Sequence, residues 1–177
     1  MIIDAHGHYT TVPAELRAYR ALQIANLGRP VKGNVQISDE QIQATLEAEQ
    51  LKKQRERGTD VTLFSPQASW MGHHFGNELT SRYWTEACND LIYRATQLYA
   101  GQFIGVAQLP QSPGVNPKNC VEELQRCVVD LGFVGCNLNP DPSGGTAMTP
   151  GLGDEWWYPI YEKLVELDVP AMIHVSA

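Results

Sequence analysis

Short apolar runs and longer amphipathic stretches alternate along the chain. Residues 2–8 (IIDAHGH) begin with a strand-like run. Residues 59–65 (TDVTLFS), 103–109 (FIGVAQL), 133–138 (FVGCNL) and 170–176 (PAMIHVS) share the β-branched and aromatic character of buried strands. Between these runs the spacing turns helical. From Ser81 to Tyr99 the residues Trp84, Ala87, Cys88, Leu91, Ile92, Ala95 and Leu98 recur three and four apart, and Gly101 ends the run. Ser38 and Gln41 have capping-box spacing and open another helix that stops at Gly58, although its apolar stripe is irregular. Asn116 and Pro117 supply an N-cap and first-turn proline for a helix closed by Gly132. Asp154 caps one that carries Trp157, Ile160, Tyr161, Leu164 and Val165. Tyr9 to Ile37 has no sustained period and reads as a loop with one short helix from about Ala14 to Ile24.

Strand and helix in strict alternation imply a parallel sheet, because parallel neighbours need a crossover. The connections from helix to strand are minimal (Gly58, Gly101, Gly132, Asp168-Val169), whereas those leaving strands are long and polar. Function is therefore expected at the C-terminal strand ends, in an α/β barrel or an open doubly wound sheet. AHGHYT lacks the glycine spacing of a phosphate loop, which disfavours a dinucleotide fold.

At 177 residues, with 43% hydrophobic and 19% charged positions, the chain suits one globular domain, expected to cover 1–177. A net charge of -7 argues against nucleic-acid or anionic-membrane partners. Lys52, Lys53, Arg55 and Arg57 read as a solvated helix end. Ile2 and Ile3 are followed at once by Asp4, so neither a signal peptide nor a membrane span is expected and the chain reads as cytoplasmic. Cys88, Cys120, Cys127 and Cys136 form no Cys-x-x-Cys pair and are expected as reduced core thiols.

The chemistry concentrates in the histidines. His6 and His8, two apart on a strand, point the same way and form half of a divalent-metal site or a satisfied imidazole pair. His174, near the end of the last strand, stands where a third ligand would have to sit. Asp4 falls on the opposite face or behind the pair. Gln67 and Ser69 follow a strand end and suit either substrate binding or loop capping. His73 and His74 form an exposed loop pair or touch substrate, and Asn139 before Pro140 binds substrate or makes a turn. Asp141 has a turn-forming context. Trp156, Trp157, Tyr158 and Tyr161 are expected to pack helix against sheet.

IDAHGH resembles the opening strand of the amidohydrolase superfamily. FSPQAS, LPQSPGV, NLNPDPSGG and WYPIYEKLVELDVPAMIHVS resemble the bacterial 4-oxalomesaconate hydratases within it. The resemblance implies a metal-dependent-hydrolase-type TIM (β/α)8 barrel with one zinc bound by His6, His8 and His174. It also implies reversible hydration of a tricarboxylic keto or enol acid in protocatechuate 4,5-cleavage. A related branch contains zinc-dependent decarboxylases of aromatic and muconate-type acids. Where this chain has Gln67 the resemblance implies an arginine, able to grip a carboxylate bidentately. A barrel of this type needs about 250 residues, so the expectation is the N-terminal five βα units, truncated before closure. The catalytic acid and base are then expected beyond Ala177. An inactive half-barrel that pairs with another copy, a homo-oligomer, is the further alternative.

Overall fold

The computed structural model describes residues 1–67 and 72–175. Two three-stranded parallel sheets carry the architecture, with strands neighbouring one another in chain order. Strand β1 (Ile3–Tyr9) leads through helix α1 (Ala14–Ala25) and a second helical segment to β2 (Val61–Pro66). That segment runs from α2 (Asp39–Thr45) through a π-helical turn at Leu46–Gln50 into α3 (Leu51–Arg57). Helix α4 (Glu78–Leu98) then leads to β3 (Phe103–Gly105) and β4 (Ala107–Gln108). α5 (Val121–Gln125) leads to β5 (Cys136–Leu138), and α6 (Tyr158–Leu167) to β6 (Ala171–Ile173). Chain-order neighbours are the pattern of a barrel wall, since a doubly wound sheet reverses its order.

The run 103–109, expected as one strand, is two. β3 pairs with β2 and β4 pairs with β5, with Val106 at the break. Hydrogen bonding continues across it: Val106 N–H donates to Phe64 O (2.9 Å), and Val134 N–H donates to Gly105 O (3.0 Å). One segment thus serves both sheets, and turning from one neighbour to the other interrupts its own regularity. The other strands are also shorter or shifted relative to the sequence expectation: 136–138 replaces 133–138, and 171–173 replaces 170–176.

The helices follow their local signals. Ser38 and Gln41 make the expected reciprocal cap, and Asn77 caps α4 through Thr80 N–H. The irregular stripe between Asp39 and Arg57 has a cause. Leu46 and Leu51, both fully buried, stand five apart, and the π turn supplies the extra residue that keeps them on one face. Lys53 and Arg55 pair with Glu49 and Glu47 on its exposed side.

The core lies between helices and sheet. Phe64 stacks on Phe103 (centroids 4.3 Å apart) and meets Tyr9, beneath Trp84, Cys88, Leu91 and Ile92 of α4. Further along, Leu124, Cys127, Trp157 and Ile160 are fully buried. Tyr158 departs from the expected packing group and is exposed, because its position on α6 faces away from the sheet. All four cysteines are free and buried, and burial pushes the Cys136 thiol up to about 12. The buried Asn89 side chain ties α4 to β4 by exchanging hydrogen bonds with the Gln108 backbone, and it also donates to Glu123 Oε1 (2.8 Å). Among the described residues no helix is long and apolar enough to cross a membrane.

β1 carries an irregularity in register between Asp4 and Gly7, with one more residue than β2 opposite it. Beyond it the strands approach closely. A Cβ on Gly7 would sit 2.1 Å from Thr62 Cγ2 and 3.2 Å from Leu63 O, which only glycine avoids. Gly7→Ala should therefore cost about 1–3 kcal/mol, read as a lower urea midpoint, and adding Thr62→Ser should recover most of the loss.

Candidate metal centre

Past the irregularity, His8 pairs in register with Ser65 of β2, so the two side chains share a face. His6 lies on that face too, and His174 reaches it from just beyond β6, where its N–H donates to Leu138 O (2.9 Å). The three Nε2 atoms converge. His6 Nε2 is 2.8 Å from His8 Nε2, and His8 Nε2 is 3.0 Å from His174 Nε2. Ring centroids stand 4.7 to 4.9 Å apart, near perpendicular. Ring nitrogens this close cannot all present lone pairs to one another without a proton or a cation between them.

Electrostatics favours the neutral form of His8 and His174. Burial pushes His8 down to about 4, with His174 and His6 adding repulsion. His174 is lowered by burial first and His6 second. Neutral imidazoles converging on one point are a donor set for a divalent transition metal, and among the described residues this cluster is the one group of three or more potential ligands. The residues fit such an ion.

The backbone is held from behind. Gln50, on the π turn, donates to His8 O and accepts from Thr11 Oγ1. Asp4 Oδ1 accepts the His6 N–H (3.1 Å), bracing the irregular turn of β1 and staying out of the nitrogen cluster. Sequence reasoning did not single out Gln50; its only signal was the five-residue step between Leu46 and Leu51. Beside His6 the inner face of the sheet opens a cavity of about 260 Å³, bordered by Ala5, Leu63, Val106, Val134 and Met172.

The proposed substrate-binding residues separate. Ser69 lies outside the described residues. Gln67 borders a small apolar gap among Tyr9, Leu16 and Trp84. His73, expected with His74 as an exposed pair, is 3% exposed, whereas His74 stays at the surface. The difference is a polar niche behind the loop: His73 Nδ1 meets Ser81 Oγ (3.4 Å), which donates to Gln111 O (2.6 Å). Gln111 in turn donates to Asn139 O (2.8 Å) and accepts from Asn139 N–H (2.9 Å). Asn139 Oδ1 accepts from Asp141 N–H, so the turn-forming role is visible there. The loops after β2, β4 and β5 are thus joined by one buried chain of hydrogen bonds. Asp141 is held below the usual carboxylate range by Ser143 and by backbone N–H groups of its own loop. Arg20 of α1, which no sequence signal marked, is buried over Trp84 (4.7 Å) and donates to Gly72 O (3.0 Å).

A family model described as Amidohydrolase matches residues 3–177. The chain belongs to this family. Among amidohydrolase relatives it is 52% identical over 178 residues to a 2-keto-4-carboxy-3-hexenedioate hydratase of Sphingobium sp., covering 99% of this chain and 52% of that protein. The crystal structure of a 4-oxalomesaconate hydratase from Rhodopseudomonas palustris superposes with a TM-score of 0.92 at 53% identity. That match covers 99% of this chain and 53% of the other. A 5-carboxyvanillate decarboxylase from Novosphingobium aromaticivorans, crystallised with manganese and a nitrobenzoic acid, shares the fold (TM-score 0.69, 22% identity, 98% and 50% covered). The chain spans about half the length of the curated relatives it matches.

Two outcomes follow from the buried network. Gln111→Ala leaves the Asn139 backbone unpaired and should cost about 1–3 kcal/mol, with faster hydrogen exchange at the Asn139 amide. Burial and the Arg20 charge push His73 down to about 3. It is therefore neutral when folded but protonated below about 6.5 when unfolded, and its contribution, full above that value, is lost as pH falls toward 3. The unfolding free energy should decline by up to about 1.4 kcal/mol per pH unit over that window from this residue. Denaturant titrations of His73→Gln should lack that part of the slope.

Proposed function

We propose that this chain supplies the first five βα units, with β3 and β4 together serving as one strand position, and the metal-binding histidines of a zinc-dependent (β/α)8 hydratase. The reaction is reversible addition of water to 4-oxalomesaconate, giving 4-carboxy-4-hydroxy-2-oxoadipate, in cytoplasmic catabolism of protocatechuate through 4,5-cleavage. The observation that carries this reading is the convergence of His6, His8 and His174 in a chain 52% identical to a hydratase. Zinc is preferred because the donor set is nitrogen alone among the described residues.

Held by the three Nε2 atoms, the ion would supply Lewis acidity toward a keto or carboxylate oxygen, or a bound water of lowered pKa. The chain's own residues hold and orient. His8 is fixed on its ring and at its carbonyl, His174 brings the last strand to the first, and the apolar cavity wall beside His6 limits water. Gln67, Ser69, His73 and Asn139 are proposed substrate contacts, with His73 offering a buried Nε2 that has no hydrogen-bond partner among the described residues. The general acid and base are assigned to none of the described residues.

A related decarboxylase is the second reading, favoured by Gln67, a neutral amide where the hydratase resemblance implies an arginine. A chimera separates the two: residues 3–177 replace the matching half of the Rhodopseudomonas hydratase. The expected product is a chelator-sensitive hydratase, restored by zinc and weakened more than about a hundredfold in kcat/KM by His8→Ala. Carbon dioxide release from an aromatic acid without hydration would replace the first reading with the second. Elemental analysis showing manganese in place of zinc would revise the ion alone.

A further inference from the structure

We infer that Ser65 is a positioning residue that, together with the Pro66 carbonyl, holds the tautomer of His8 and so presents the His8 Nε2 lone pair to the metal position. The inference rests on the metal reading above and concerns a residue that makes no contact with the ion.

The hydrogen-bond geometry determines where the protons are. His8 Nδ1 lies 3.0 Å from Pro66 O, and a carbonyl only accepts, so Nδ1 carries the hydrogen. Ser65 Oγ is 2.7 Å from the same Nδ1 and 3.0 Å from Gly7 O. The hydroxyl proton goes to Gly7 O, which leaves an oxygen lone pair facing Nδ1–H. Both contacts make the same demand. A neutral imidazole has one N–H, so Nε2 is bare and faces His6 and His174.

The arrangement is built into the strands. Register places Ser65 opposite His8, and the close strand approach at Gly7 brings its hydroxyl within reach. Ser65 is 2% exposed, so water does not compete for the contact. His6 and His174 have no equivalent: among the described residues neither Nδ1 has a partner of good geometry, and that of His174 is buried without one. Those two rings can change tautomer when an ion displaces their Nε2 protons, whereas His8 is preset as the first ligand.

The test uses the full chain, its Ser65→Ala variant and Ser65→Thr, which keeps the hydroxyl. Zinc affinity is measured by competition with a chromophoric chelator, and ring tautomers by nitrogen-15 NMR of the metal-free protein. The parent should show a slowly exchanging His8 Nδ1–H. Ser65→Ala should exchange it faster and bind zinc about tenfold to a hundredfold more weakly, with Ser65→Thr within a few fold of the parent. A His8 protonated on Nε2 in the parent overturns the inference without any variant, as does a Ser65→Ala protein with unchanged affinity and ring resonances. If the parent binds no zinc, the metal reading fails separately, and Nδ1–H exchange in parent and variant still decides the role of Ser65.

Discussion

The close parallel pairing of β1 with β2 is the constraint on which the rest of the site depends. Gly7 removes the one Cβ that would hold the strands apart, and register then sets His8 against Ser65. His6 and His8 inherit their positions from that contact, and His174 meets them from the second sheet through its bond to Leu138 O. The extra residue in β1 lets His6 turn toward His8, and Asp4 stabilises the turn from the backbone side. The helices contribute at a distance: α4 packs its apolar face on Phe64 and Phe103, keeping β2 from shifting, and the π turn delivers Gln50 to the carbonyl of His8. Burial of side chains such as these, at roughly 1.5–3 kcal/mol each, outweighs the surface ion pairs, whose median contribution is about 0–1 kcal/mol.

Two kinds of polar chemistry coexist at the C-terminal ends of the strands. The histidine cluster is directed inward and has few hydrogen bonds, which leaves nitrogen lone pairs available. The network from His73 through Ser81 and Gln111 to Asn139 is nearly saturated and joins three loops that share no secondary structure. A reactive centre benefits from this division, because the first group must stay free to change partners and the second must hold still.

Much of this was legible in the sequence, for physical reasons. The β-branched and aromatic runs located the five strand segments, though not the break within 103–109, and the 3.6-residue spacing from Ser81 to Tyr99 located helix Glu78–Leu98, since burial on one face leaves its mark on residue spacing. His6 and His8 declared a shared direction because strand geometry enforces it, and His174 declared itself by standing at another strand end. What stayed hidden depended on tertiary packing. The break at Val106 arises from two neighbours competing for one segment, and nothing in FIGVAQL marks it. The burial of His73, the placement of Arg20 over Trp84 and the reach of Gln50 depend on where other elements come to rest. Asn139 allowed a binding role or a turn, and its Oδ1 accepts the Asp141 N–H that makes the turn.

The nitrogen cluster joins residues 166 positions apart, the first strand and the segment after the last. Such a junction closes nearly the whole chain into a loop. An ion that recognises the assembled triad and not the open chain would act on folding as a distant cross-link does, with a contribution that grows as the logarithm of free ion concentration. Stability and occupancy would then be linked, and ion supply would shift how much folded protein is present as well as how much of it is loaded.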